Sequence, residues 1–403
     1  MDNLKELIKS KFAAEIKGDK IIWAVAVFLA IVAMLAVYSA TGTLAFKKGG
    51  STLHYLFRHG IFVVAGFFVM WLVQRVQGKV LIKWLNILSP FLVYASVPLL
   101  LFTLVSGASL NSASRWISIM GFTFQTSDFV KPALIIYVST MLANIKNASN
   151  EVEMRKQFWI MIGWIAIICA LIMPANLSTA VMLYAICLLL IFIGEVKMEL
   201  VMKLLGLTAA AGVLVLLLIF FGPQVGRVAT WKARIERFVS NDPNAHDAEE
   251  NFQADRAKMA VVGGSLVVSG PFGRGPGNSI QRHSLPHPYS DFIYAIIIEE
   301  YGLLGGLLVM FAYFTLFFRA IKCAIKCSSM FPQMMVIGLA LSMLIQALFN
   351  MGVAAGAFPV TGQTLPFVSM GGTSILFVSV MFGLILNITV NGDIPIETAK
   401  KAK

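Results

Sequence analysis

Charge is what this chain has least of. Charged residues make up 13% of its 403 residues and hydrophobic ones 58%, against about 25% and roughly 45–50% in soluble domains. So little polar surface cannot cover a soluble core of this size. The ten-residue alternating segments of a membrane barrel are also missing, which leaves helices as the way to span a bilayer. Cysteine is scarce: Cys169, Cys187, Cys323 and Cys327 all fall in apolar runs or near the inner face, so no structural disulfide is expected. Cys323 and Cys327 share a helix face, but two thiols do not complete a metal shell. No stripe of basic and aromatic residues supports nucleic-acid binding.

What the chain has is a series of apolar runs near 20 residues, each long enough to cross about 30 Å of hydrocarbon. Spans are expected at 21–41, 57–74, 82–106, 127–145, 157–174, 176–194, 200–221, 291–318, 334–355 and 371–391. The fold class is therefore an all-α polytopic membrane protein of about ten transmembrane helices. One long extracytoplasmic loop, 222–290, joins the seventh to the eighth. The first span is too long for a signal-peptide core and is expected to be retained. Residues 1–20 form a cytoplasmic segment in which Leu4, Ile8, Phe12 and Ile16 recur every four residues, as an amphipathic helix on the inner leaflet would require. Residues 392–403 form a cytoplasmic tail.

Lys and Arg in short loops set the orientation. With the N-terminus inside, the inner side carries 19 cations and the short outer loops five, Lys47, Lys48, Arg58, Arg115 and Lys131. Both termini are then cytoplasmic. The net charge of +12 is mostly this inner bias beside anionic headgroups.

Charge within a span costs about 2.5–3.5 kcal/mol per residue at the helix centre, so the exceptions are informative. The run from Gly263 to Glu300 gathers glycines, Arg274, Arg282, His283 and His287 ahead of an apolar segment carrying Asp291, Glu299 and Glu300. No Lys-Ser or Lys-Thr follows its glycines and no strand precedes them, so a nucleotide loop is excluded. A tight turn at the membrane surface accounts for them, and Arg274 remains open as a pyrophosphate contact. Leu285–Pro286 breaks helical register between the histidines, against a metal pair. On one helix, Asp291, Glu299 and Glu300 point apart and do not form a single cluster. Asp128 and Lys131, three apart at the start of span four, can neutralise each other or, with Arg115, bind an anionic headgroup. Asp242, Asp247, Glu249, Glu250 and Asp255 are all candidate general bases at the membrane surface, and pattern alone does not choose among them.

Several motifs then carry a resemblance. They are Val37–Tyr38–Ser39–Ala40–Thr41, Ala113–Ser114–Arg115–Trp116–Ile117 and Gln125–Thr126–Ser127–Asp128–Phe129–Val130–Lys131, with the GPGNSIQRHSLPHPYSDFIYAIIIEEYG run and NMGVAAGAFPVTGQTLPFVSMGGTS at 350–374. In order and spacing the chain resembles the SEDS family (shape, elongation, division and sporulation) of cell-wall proteins that includes FtsW, RodA and SpoVE. Thr364 in Gly-Gln-Thr-Leu-Pro and the Gly277–Asn278–Ser279 turn are more similar to the division type, FtsW.

The resemblance implies a peptidoglycan glycosyltransferase that polymerises lipid II, an undecaprenyl-pyrophosphate disaccharide pentapeptide, on the outer face of the bacterial cytoplasmic membrane during division. It implies an essential aspartate in the long loop, ahead of a Tyr-Gln pair that Phe252–Gln253 matches here. Asp242–Pro243 keeps the family's dipeptide, while Asp247 better keeps the distance, so both stand as catalytic candidates. Arg115, Lys131, Arg274, Ser369 and Gly371 are implied in substrate binding, and Asp128, Asp291, Glu299 and Glu300 as structural or cavity acids. A divalent cation, Mg or Mn, is expected to share the pyrophosphate charge. Expected partners are a single-span class B transpeptidase and division-complex proteins. The chain departs from the family at Asn176–Leu177–Ser178–Thr179, where Asp-Leu-Gly-Thr is common, and so lacks a span-six carboxylate. Rival functions are a lipid II flippase and an elongation-type, RodA-like polymerase; no inverted repeat of the transporter kind is apparent.

Overall fold

The computed structural model describes residues 17–42, 44, 51–106, 108–110, 113–119, 122–222, 228, 231–232, 249–285 and 288–391. Ten long apolar helices appear among them: α1 (Lys20–Ala40), α2 (Thr52–Arg75), α3 (Gly78–Ser106), α4 (Thr126–Lys146), α5 (Glu151–Ile172), α6 (Leu177–Ile193), α7 (Met198–Phe221) and, after the long-loop helix α8 (Glu249–Gly263), α9 (Ile293–Ala324), α10 (Met330–Ala354) and α11 (Gly372–Asn391). Nine of the ten are long and apolar enough to cross a membrane, and α6 is a turn shorter. The chain is a multi-pass membrane protein.

Local chemistry sets the helix starts. Asp19, Ser51, Asn150 and Asn176 each turn a side-chain oxygen onto the orphan amides of the following turn. Asn150 is followed by Glu151 and Glu153, acids that suit the positive end of α5. Pro90 and Pro98 lie inside α3 and Pro132 inside α4, a tolerance typical of membrane helices.

Two differences from the expected spans bear on the site. Helix α9 begins at Ile293, so Asp291 precedes the eighth span instead of lying in it, and the helix runs on to Ala324. Between α3 and α4 the chain adds a small antiparallel sheet, β1 (Ala108–Leu110), β2 (Ala113–Ile119) and β3 (Phe122–Gln125), in sequential order. Its short strands alternate too briefly to stand out beside long apolar runs. Gln125 pairs with Trp116 across β2 and β3, so the sheet leads directly into α4.

Helix α4 sits at the centre, packed by α3, α5 and α10, while α9 packs on α10 and α1, and α2 on α11. In its most apolar stretch α4 is 89% buried and α7 only 11%, which marks α7 as peripheral and lipid-facing. Alternate traversal separates two faces. At one, Asp19 holds Arg319 at the end of α9, and the Asp19 amide donates to Thr389 Oγ1 near the end of α11 at 3.0 Å. At the other, the starts of α4, α9 and α11 meet the end of α10.

Candidate functional site

That second face is built from polar side chains that point out of apolar helices into one another. Asp128 and Lys131 lie in the first two turns of α4, three residues apart on one face, with Oδ1 and Nζ 3.0 Å apart and both side chains under 10% exposed. From α10, Gln346 accepts a hydrogen bond from Lys131 Nζ at 2.9 Å. The Gln346 amide nitrogen donates to the Thr364 carbonyl at 2.9 Å. Around this group is a small cavity of ≈ 20 Å³, lined also by Ser342, Thr364, Pro366, Ser374 and Phe377. That is room for about one water. Among the described residues, Asp128 Oδ2 is buried there without a hydrogen bond and Lys131 commits two of its three donors. A buried pair with unused valence, opening on a small cavity with both polar and apolar walls, is equipped to bind.

One turn along α10, Asn350 donates to the Gln363 carbonyl at 2.7 Å and to the Asp291 carbonyl at 2.8 Å. Gln363 in turn donates to Thr179 Oγ1 at 2.6 Å, reaching the first turn of α6. The loop between α10 and α11 is therefore pinned at two consecutive carbonyls, 363 and 364. Further along it, Phe367 has φ of 65°, a strained value for a bulky residue. Its ring is buried against Phe67 and Phe382, and that packing holds the turn. Ser369 accepts from the Leu365 amide at 2.8 Å and donates to the Ser290 carbonyl at 2.6 Å, so its hydroxyl is committed to backbone. The Gly371 carbonyl receives the Ser374 amide at 2.7 Å, starting α11.

Glu299 and Glu300, buried in the second turn of α9, face the glycine-rich run. Glu299 accepts from Ser279 Oγ at 2.5 Å, the Ile280 amide at 3.0 Å and the Gln281 amide at 3.3 Å, with Arg274 Nε at 3.8 Å. Glu300 Oε1 accepts from the Ser279 amide at 3.3 Å and from the hydroxyl of Ser39 in α1. Arg282 closes the group by donating to Ser39 Oγ at 3.3 Å. Beneath the run, α9 breaks: Gly302 has φ of 70°, and a Cβ there would lie 2.2 Å from the Pro271 carbonyl oxygen. Gly273, at φ of 68°, would meet the Gly302 nitrogen at 2.3 Å. Here glycine is required because two backbones touch. The Arg274 and Gly275 amides use the contact to bond the Glu299 and Glu300 carbonyls at 3.0 and 2.9 Å.

Of the residues singled out in the sequence, Asp128 and Lys131 come together, as do Glu299, Glu300 and Arg274, while Asp291 has Ser290 Oγ 2.8 Å from its Oδ1. Ser369 and Gly371 lie on the pinned loop. Asp242 and Asp247 fall outside the described residues, as do residues 1–16 and 392–403. Arg115 has its backbone in β2, and its side chain is not described. Ser39, Gln346, Asn350 and Gln363 were not singled out individually. A signal for two of them exists: Gln346 and Asn350 are amides four apart on one face of an otherwise apolar helix. Asn176, where the family's carboxylate is missing, caps α6 through its carbonyl oxygen at 3.2 Å from the Thr179 amide.

Comparison with known proteins places this arrangement. The model of the FtsW, RodA and SpoVE family, described as "Cell cycle protein", matches residues 19–393. A protein of Enterococcus hirae named "Probable peptidoglycan glycosyltransferase FtsW" is 29% identical over 389 residues, covering 93% of each chain. A protein of the same name from Coxiella burnetii is 30% identical over 91% of this chain and 95% of its own. Stage V sporulation protein E of Bacillus subtilis is 28% identical over 92% and 96%. Among solved structures, a chain from a peptidoglycan synthase complex superposes with a TM-score of 0.70 at 20% identity, over 92% of this chain and 97% of that one. Rod shape determining protein RodA of Thermus thermophilus gives 0.64 at 20% identity, over 93% and 97%. With the family model matching residues 19–393 and a relative 30% identical over nearly its whole length, the chain belongs to the FtsW, RodA and SpoVE family of cell-cycle proteins.

Proposed function

We propose that this chain is a peptidoglycan glycosyltransferase that polymerises lipid II at the outer face of the cytoplasmic membrane. The observation that carries the assignment is the buried Asp128–Lys131 pair with unused valence beside a small cavity, in a chain whose relatives bear that enzyme's name. The Lys131 ammonium, as a compact point charge, offers its remaining donor to the donor substrate's diphosphate, with Arg115 as a second cation. A loop aspartate, Asp242 or Asp247, takes the proton of the acceptor's 4-hydroxyl. The new C1–O4 bond forms as the C1–O bond to diphosphate breaks, inverting the anomeric centre, and the lipid diphosphate leaves with the electron pair.

Among the described residues no group of three His, Cys, Asp or Glu could hold a metal ion. Magnesium or manganese is the proposed cation, and outer-face carboxylates would hold it beside the diphosphate. When bound, it would neutralise diphosphate charge. A single-span class B transpeptidase and division-complex proteins are the proposed partners, the septum the proposed site, and both termini are placed in the cytoplasm. Separate Asp242→Ala and Asp247→Ala variants, assayed for glycan polymer from labelled lipid II in detergent, test the assignment. One of the two should lose polymerisation; full activity in both removes the proposed base.

A further inference from the structure

The Gln346 side chain joins two things that the chemistry needs kept in register. A lysine side chain is long and rich in rotamers, so an ammonium has no fixed place without external partners. Asp128 holds Lys131 along its own helix, at 3.0 Å. The second hold comes from a facing helix, through the Gln346 carbonyl oxygen at 2.9 Å. That partner is neutral, so it anchors the cation without adding a second anion to compete with an incoming diphosphate.

The amide's orientation is not interchangeable. An ammonium only donates and a carbonyl only accepts, so Gln346 must turn its oxygen to Lys131 and its nitrogen to Thr364. Both ends of one rigid group are then committed to different elements, α4 and the 355–371 loop. One turn away the Asn350 amide nitrogen alone donates to both the Gln363 and Asp291 carbonyls, pinning the neighbouring loop carbonyl. Movement of the loop at 363–364 must therefore move the ammonium.

We propose that Gln346 is a positioning residue of the polymerisation site, fixing the Lys131 ammonium where it meets the diphosphate and coupling that position to the 355–371 loop. The proposal rests on the assignment of Lys131 to diphosphate binding. The test is a double-mutant cycle on the full-length protein in detergent, reading affinity for fluorescent lipid II. Q346M, close in volume to the native side chain, should weaken binding about tenfold, the loss of roughly one charge-assisted hydrogen bond. K131M should weaken it more. Added to K131M, Q346M should change affinity by less than about twofold, because its effect passes through the lost ammonium. A purely structural Gln346 would instead weaken binding by the same factor in both backgrounds, and that result, or unchanged affinity in Q346M alone, overturns the proposal. Wild-type affinity in K131M overturns the assignment of Lys131 itself. Should Q346M not fold, Q346E has nearly the native shape; its carboxylate beside the ammonium should weaken binding at least as much, and unchanged affinity again overturns the proposal.

Discussion

Glu299 and Asp128 are both buried carboxylates near the start of a helix on the same face of the molecule, and they are used in opposite ways. Both oxygens of Glu299 are occupied by two backbone amides and a hydroxyl, with Arg274 close by. Asp128 gives one oxygen to Lys131 and, among the described residues, leaves the other buried without a hydrogen bond beside a cavity. A carboxylate saturated by backbone is a fastening: its donors cannot leave without the loop unfolding. A carboxylate with a free oxygen, paired with an ammonium that has a free donor, is unfinished until something arrives. Between these two acids, burial alone does not separate site from scaffold; the unused oxygen of Asp128 does.

The largest effects should come from breaking the unfinished pair. K131M strands the Asp128 carboxylate in a buried setting and should cost about 3–5 kcal/mol, measured as a fall in melting temperature in detergent. D128N/K131M removes both charges and should regain most of that stability while remaining inactive in polymerisation. Recovery of activity along with stability would make Asp128 and Lys131 scaffold after all. On the other side, Gly302→Ala forces a Cβ to within 2.2 Å of the Pro271 carbonyl oxygen at a left-handed φ. It should cost about 3 kcal/mol, at the top of the range for such strain, and should loosen the glycine run from α9.

The two regions also differ in how far the sequence reveals them. Span positions follow from apolar length, which is why each of the ten expected spans falls on a helix, with ends off by up to about six residues. Asp128 and Lys131 can be paired from sequence because i, i+3 spacing is a property of one helix. The partners of Glu299 cannot, because Ser279, Ile280 and Gln281 approach it through a loop whose path depends on the contact between Gly273 and Gly302. Gln346 meets Lys131 across 215 residues of chain, and no local pattern encodes that. The sheet at 108–125 went unforeseen for a related reason. Strand pairing is non-local, and three short strands leave little periodic signal. Asp242 and Asp247 rest on resemblance alone.

Glu299→Gln sharpens the contrast from the scaffold side. One amide oxygen cannot replace two carboxylate oxygens against two amides and a hydroxyl, and the new NH2 would face amide donors. Stability should fall by about 2 kcal/mol, the scale of a hydrogen bond to a charged group. If Glu299 only fastens the loop, polymerisation per folded molecule stays within about threefold of wild type, and a larger drop in turnover at full folding would assign it a part in the reaction.

The smallest effect tests the same distinction at Asn176. Its side-chain oxygen caps α6 at the Thr179 amide, while its Nδ2 is buried with no hydrogen-bond partner among the described residues. The cap is therefore in place without a charge at position 176. Asn176→Ala should cost about 1 kcal/mol through the lost cap. Asn176→Asp keeps the oxygen, removes the orphan donor and sets a negative charge at the positive end of α6, so it should stay closer to wild type in melting temperature than the alanine variant does. Should Asn176→Asp also raise the rate of glycan synthesis, position 176 belongs with Asp128 among the unfinished groups, not with Glu299 among the fastenings.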